Sequence, residues 1–226
     1  MERASDMVLM SWFARACGAA PKAASPVEAF WQCFAQEEAR LRRALILASR
    51  GAKRLEETKA RIVEDLQKID PALSLHIGWA KDNVFELVLS AGGRRDLFPT
   101  VSAVTAAAPQ LPRWRVIAFR PPRRSGLELC LDGRTLGAEG LWFRLEPRRD
   151  QADLGLYVAG LTAEEREPLK GAAASLLDAA LGEYAAATRI GAIDLKGLPE
   201  DPAAAGLHPI TELRAEFDAI FPETRP

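Results

Sequence analysis

Residues 73–90 read LSLHIGWAKDNVFELVLS. Leu73, Leu75, Ile77 and Trp79 alternate with Ser74, His76 and Gly78, and after the polar turn at 80–83 Phe85, Leu87 and Leu89 alternate again. A period of two marks strands, so this stretch is a β-hairpin with one buried face. Beyond Gly92 and Gly93 the period becomes helical, on Leu97, Phe98, Val101, Val104 and Ala108. Pro99 is tolerated only near the first turn of that helix, and Pro109 and Pro112 close it. Residues 114–120 (WRVIAFR) follow as a strand apolar on both faces, the pattern of a central strand.

The same order then recurs. Residues 141–158 read LWFRLEPRRDQADLGLYV, two alternating stretches around a polar turn. Thr162 and Glu165 are spaced as a capping box before a stripe of Leu169, Ala173, Leu176, Leu177, Ala180 and Leu181. Residues 189–195 (RIGAIDL) make the closing strand. Element order ββαβ thus appears twice, offset by roughly 65–75 residues, although the copies share negligible identity. Residues 127–131 offer one more short strand between them, and Ile210, Leu213, Phe217 and Ile220 a last helix.

Upstream, Ser25, Pro26 and Glu28 give an N-cap, a first-turn proline and the third member of a capping box. Val27, Phe30, Trp31, Phe34, Leu41 and Leu45 continue at helical spacing, and Gly51 is the expected stop. A second helix carries Leu55, Ile62, Leu66 and Ile69 and ends before Pro71, which disfavours a helical residue ahead of it. The expected class is therefore α+β: an antiparallel sheet from two ββαβ pseudo-repeats with helices on one face, plus an N-terminal α-hairpin. Residues 1–26 read as leader and linker, 27–70 as a helical hairpin packed on the main domain, and 71–226 as the duplicated domain with its C-terminal helix. Either one continuous core or two lobes side by side would satisfy this order.

The chain has 226 residues, 48% apolar, with 30 Lys+Arg against 31 Asp+Glu. A balance so close to zero gives no global field for nucleic acid or an anionic membrane, and no apolar run approaches the ~18 residues of a membrane span. Cys17, Cys33 and Cys130 are an odd number at wide spacing, which fits neither a disulfide framework nor a metal knuckle and points to a reducing, cytoplasmic setting. Residues 8–14 (VLMSWFA) are too short and too acidic in their flank, with Glu2 and Asp6, for a secretory signal.

Recognisable chemistry is scarce. His76 and His208 are far apart, no metal-ligand spacing occurs, and there is no nucleophile elbow, P-loop or dinucleotide fingerprint. No metal and no cofactor are expected. His76, on the polar face of a strand, reads as a surface or hydrogen-bonded histidine. Seven arginines fall between Gly93 and Arg124 (Arg94, Arg95, Arg113, Arg115, Arg120, Arg123, Arg124), against one acid, Asp96. They would suit an anion or nucleic-acid surface, since guanidinium forks match phosphate and carboxylate. The preferred account is self-complementarity with the acidic tail, where Asp194 to Glu223 holds seven acids. Only seven of the 30 basic residues are Lys, so arginine clusters arise here from composition alone.

Gly182, Glu183 and Tyr184 stand outside the centre of the apolar stripe. Glu183, placed at the helix end, would face the negative pole of the helix dipole and need a compensating partner. Arg189 is the near candidate and Arg120 the long-range one, with a set of backbone donors as the alternative to an arginine. Arg120, Glu183, Tyr184 and Arg189 together form the candidate ligand-binding set.

Residues 181–184 (LGEY) followed by 188–191 (TRIG), with 30–34 (FWQCF), 85–92 (FELVLSAG), 97–99 (LFP) and 114–120 (WRVIAFR), resemble blocks of an uncharacterised bacterial family, the domain of unknown function numbered 695. The resemblance spans about residues 27–195. It implies a bacterial cytoplasmic protein and supplies no catalytic residues. Some relatives of that family are joined to a domain resembling the B-type regulator of ribonuclease E activity, which implies binding of a regulatory protein partner.

Three functions follow as expectations. The preferred one is a non-enzymatic binding or regulatory module, because a complete core stands beside no catalytic constellation. Convergent titratable groups in one cleft would weigh against it. The second is an enzyme acting on an anionic small molecule held by Arg120 and Arg189, with Glu183 as acid or base. The third, less favoured, is an RNA-associated regulator using residues 94–124.

Overall fold

The computed structural model describes residues 24–79, 84–123, 126–131 and 134–222, with backbone alone at 48–54, 131 and 134. Residues 1–23 of the leader, with Cys17, the turn at 80–83 and Arg124 lie outside the described residues. The class is α+β, with an N-terminal helical pair.

Helix α1 (Pro26–Ile46) begins on the full capping box: Glu28 N donates to Ser25 Oγ and Ser25 N to the Glu28 carboxylate. It ends at Leu47, and α2 (Ala48–Gln67) starts directly after it. Gly51 is therefore inside a helix rather than at the break. A single glycine costs a helix only ~1 kcal/mol relative to alanine, so packing can carry the chain past it. The two helices bury Phe30, Trp31, Phe34, Leu41, Ile62 and Leu66 in one cluster with the first hairpin. Two indole N–H groups pin them there: Trp31 Nε1 donates to Val104 O (2.9 Å), and Trp114 Nε1 to Glu38 Oε2 (3.0 Å).

Strands β1 (Ser74–Trp79) and β2 (Phe85–Ser90) pair antiparallel, and α3 (Phe98–Ala106) leads back to β3 (Trp114–Ala118), which pairs parallel to β2. A helical crossover returns the chain in its original direction, so the third strand of the repeat cannot be antiparallel to the second. The sheet order is β1-β2-β3. Central position falls to β2, buried almost throughout, while β3 is an edge strand whose second apolar face is only partly covered.

A short hairpin, β4 (Glu128–Leu131) and β5 (Arg134–Gly137), precedes the second repeat. There β6 (Leu141–Pro147) and β7 (Ala152–Val158) pair antiparallel, α4 (Arg166–Leu181) and α5 (Glu183–Arg189) form the crossover, and β8 (Ile190–Gly197) pairs parallel to β7. The pattern of the first repeat is thus reproduced strand for strand. Two extra elements complete it. Strand β9 (His208–Pro209) adds to the free side of β6, and α6 (Leu213–Ile220) packs behind.

The six repeat strands are divided between two mixed sheets instead of forming one antiparallel sheet. Buried apolar side chains fall accordingly into two clusters, one per repeat. Of the two arrangements open from element order, the lobed one is realised. Among the described residues no helix is long and apolar enough to cross a membrane.

Candidate functional site

The two lobes meet where α4 breaks. Gly182 has φ +85° and ψ 147°, a conformation essentially reserved for glycine, and a Cβ there would meet Arg120 O at 3.2 Å and Pro122 Cδ at 3.0 Å. The break reorients the chain so that Glu183 opens a new helix instead of ending the old one. The dipole argument accordingly changes sign: the carboxylate sits at a helix start, not at a helix end. Arg214 Nη1, from α6, donates to the exposed end of α4 at Leu181 O (2.9 Å).

Glu183 is completely buried. Its Oε1 accepts from Ala91 N (2.9 Å) and Gly93 N (3.0 Å), and its Oε2 from Arg120 N (3.0 Å). Its own N–H donates to Arg120 O (2.9 Å). All these partners belong to the first lobe, so one carboxylate of the second lobe closes three backbone donors of the first. Arg120 Nε stands 3.5 Å from Oε2 but makes no hydrogen bond, while Arg120 Nη2 donates to the Asp178 carboxylate. Burial pushes the Glu183 carboxyl upward, yet the N–H groups of Gly93 and Arg120, the Ser90 hydroxyl and the Arg120 charge outweigh it and hold the group below the usual glutamate range. Asp178 goes the other way: burial and the neighbouring Glu183 charge raise it against the pull of Arg120.

Phe119 is the only non-glycine among the described residues with positive φ (65°). Its N–H donates to Leu89 O (2.7 Å), and its ring lies against Phe98 (4.6 Å between centroids) and Tyr184 (5.4 Å). Strain of this kind persists only where packing over-determines it. Here it turns the next N–H, that of Arg120, toward Glu183. Tyr184 stacks on Phe98 (5.6 Å) and packs with the first-lobe cluster, while Ala185 and Ala186 belong to the second.

Beside this joint lies a cleft of about 540 Å³, a volume suited to a small molecule. Its first wall is the non-core face of β1 and β2, where His76 and Val88 sit directly opposite each other. The second is one face of α4, with Ser175, Leu176, Asp178 and Ala179. Arg120 to Arg123 run between the walls, and Glu128 and Cys130, two apart on β4, share the face turned from buried Leu129. His76 makes no side-chain hydrogen bond among the described residues. Burial, then the Arg120 charge, with lesser help from Arg123 and Lys59, lower its basicity against an upward pull from Glu183.

Of the expected ligand-binding set, Arg120, Glu183 and Tyr184 come together, and Arg189 does not. Arg189 donates to Asp150 O (3.1 Å) and lies over the Phe221 ring (5.5 Å) at the far end of α5. Arg120 is thus the partner of Glu183, and Glu183, sealed at the joint, offers no surface to a ligand. The arginine surface is also divided. Arg94 pairs with Asp96 (2.6 Å) and Arg115 with Glu86, while Arg95 and Arg113 are exposed and Arg123 faces the cleft. The acidic tail does not neutralise this surface among the described residues. Asp194 pairs with Lys196, Glu212 with His208 and Asp218 with Arg214.

Ser175 and Asp178 are cleft residues that sequence reasoning left out, and His76, read as a surface or hydrogen-bonded histidine, and Cys130 were not placed in a site. Alternation showed that His76 lies on the polar face, but not what that face opposes. Among the described residues no group of three or more His, Cys, Asp or Glu side chains is placed to hold a metal. Burial and Asp65 push the Cys33 thiol up to about 11, away from the thiolate form. In comparisons with known proteins, no family model, curated protein or solved structure matched the chain.

Proposed function

We propose that the protein is a non-enzymatic binding module of the bacterial cytoplasm that holds a small anionic molecule in the interlobe cleft. One observation carries the reading: Arg123 faces the cleft and makes no ion pair among the described residues, whereas Arg120 is already claimed by Asp178 and Glu183. An arginine fork is suited to a carboxylate or phosphate group, and Val88, Pro121, Pro122 and Leu176 give the organic part of a ligand an apolar bed. The resemblance to the family of unknown function numbered 695 is compatible with this reading and adds no residue to it.

Sulfate, titrated calorimetrically at low ionic strength, is the first probe. Saturable binding that weakens at least tenfold in Arg123→Ala supports the proposal. Equal binding by wild type and variant, or none by either, refutes it.

An enzyme acting on an anionic small molecule is the second reading, favoured by the presence of His76 and Asp178 in one cleft. It differs from the first in requiring turnover: a hydrolysis screen with phosphate and carboxylate esters should then show activity that His76→Gln abolishes. Nucleic-acid binding is the weaker alternative, since Arg94 and Arg115 have local acidic partners. A steep salt dependence of RNA binding would restore it.

A further inference from the structure

His76 is an exposed residue on the cleft wall, lacks a hydrogen-bond partner among the described residues, and shares the cleft with Arg120 and Arg123. A neutral imidazole in that position has one ring N–H to donate and one lone pair. Burial first, and then the charges of Arg120 and Arg123 against a pull from Glu183, oppose a positive charge on the ring as long as no anion is bound. An anion bound among them reverses the local field and makes the imidazolium, with two N–H donors, the better partner. We propose that anion binding in the cleft is coupled to the uptake of one proton by His76, so that the site takes its ligand more tightly as pH falls. This rests on the reading of the cleft as an anion site, and it assigns that site its regulation.

The charged groups around His76 have been placed. Lys59 approaches from α2, Arg120 and Arg123 from the segment after β3, Asp178 from α4, Glu128 and Cys130 from β4, and Glu183 acts from the joint. Glu183 is sealed and hydrogen-bonded, and held below the usual range. Asp178, already raised by burial, is another group whose protonation an anion would favour. The two are separable, since removing the imidazole leaves the Asp178 contribution intact.

Linkage fixes the form of the effect. A bound state that holds one more proton than the free state gains up to about tenfold in affinity for each pH unit of decrease, between the two pKa values of the linked group. The free value lies below the ordinary histidine value of about 6.5 and the bound value above the free one, so the steep region starts below about pH 6.5 and extends up to the bound value.

Sulfate keeps the same charge across this range and is the probe. Its affinity for the full chain is measured calorimetrically from pH 5 to pH 8, at pH 6 also in two buffers of different ionisation enthalpy. Wild type is expected to gain at least fivefold from pH 7.5 to pH 5.5 and to take up protons from the buffer. His76→Gln, on a polar strand face and checked for a native circular dichroism spectrum, should keep measurable sulfate binding through Arg123 and lose the slope. Binding without pH dependence in wild type overturns the proposal, and so does a slope that survives in His76→Gln, which would belong to Asp178. Absence of sulfate binding at every pH removes the anion-site reading itself, a different result from either.

Discussion

Replacing Glu183 by glutamine changes one oxygen to an NH2 group in a site with no spare volume or solvent. The carboxylate accepts two backbone donors on Oε1, Ala91 N and Gly93 N, and one on Oε2, Arg120 N, with Arg120 Nε beside it. A glutamine best keeps its oxygen toward Ala91 and Gly93. Its NH2 then faces the Arg120 N–H, donor against donor. Losing a charge-assisted hydrogen bond costs about 1.5–3 kcal/mol, and stranding a buried N–H about 1–3 kcal/mol. These overlap, and the neutral amide is easier to bury, so Glu183→Gln is expected to lower stability by about 2–4 kcal/mol. Urea unfolding at pH 7, followed by tryptophan fluorescence and circular dichroism, measures it. The folded carboxyl is held low, so its stabilisation is complete above the ordinary glutamate range and fades as pH falls through the folded value. The gap between wild type and variant should therefore narrow below about pH 4. A loss under about 1 kcal/mol at pH 7, or a gap that persists in acid, would refute the account of the joint.

Gly182→Ala should cost more than about 2 kcal/mol by the same unfolding assay, because the backbone conformation is strained for alanine and its Cβ meets backbone atoms of Arg120 and Pro122. Phe34→Ala should cost about 3–5 kcal/mol, since the ring is fully buried against Trp114 (5.1 Å) and Trp31 (5.8 Å), and a change below about 1 kcal/mol would make the helical pair a loose appendage. Arg115→Ala, at an exposed pair with Glu86, should move stability by no more than about 0.5 kcal/mol, and thermal unfolding in low and high salt checks it.

Periodicity made the repeats legible because each strand hides one face and each helix one stripe, and Leu73 to Leu89 carries that signal without help from the rest of the chain. What periodicity cannot carry is the relation between elements. WRVIAFR reads as central because both faces are apolar, yet β3 is an edge, its outer face half-covered. The break at Gly182 was visible as a glycine, but α5 is seven residues long and too brief for a stripe of its own. Glu183 was recognised as an acid needing compensation, with Arg120 as the distant candidate. A set of backbone donors was the other compensation expected of it, but which N–H groups supply them, those of Ala91, Gly93 and Arg120, has no side-chain signature. The cleft was illegible for the same reason: His76 and Asp178 are ordinary polar-face residues until two lobes oppose them.

The joint has a temporal side. Ala91 N, Gly93 N and Arg120 N are made 92, 90 and 63 residues before the carboxylate that receives them. At a synthesis rate of roughly 5–20 residues per second, the first lobe waits roughly 3–20 s on the ribosome for its acceptor. Throughout that interval the face of Phe98 and Phe119 that Tyr184 later covers stands open. The strained turn at Phe119 has nothing from the second lobe to hold it. The nascent first lobe can condense its own core around Phe34 and Phe85, but its last turn sets only when residue 183 leaves the exit tunnel, which ties the closing of the joint to synthesis of the second lobe.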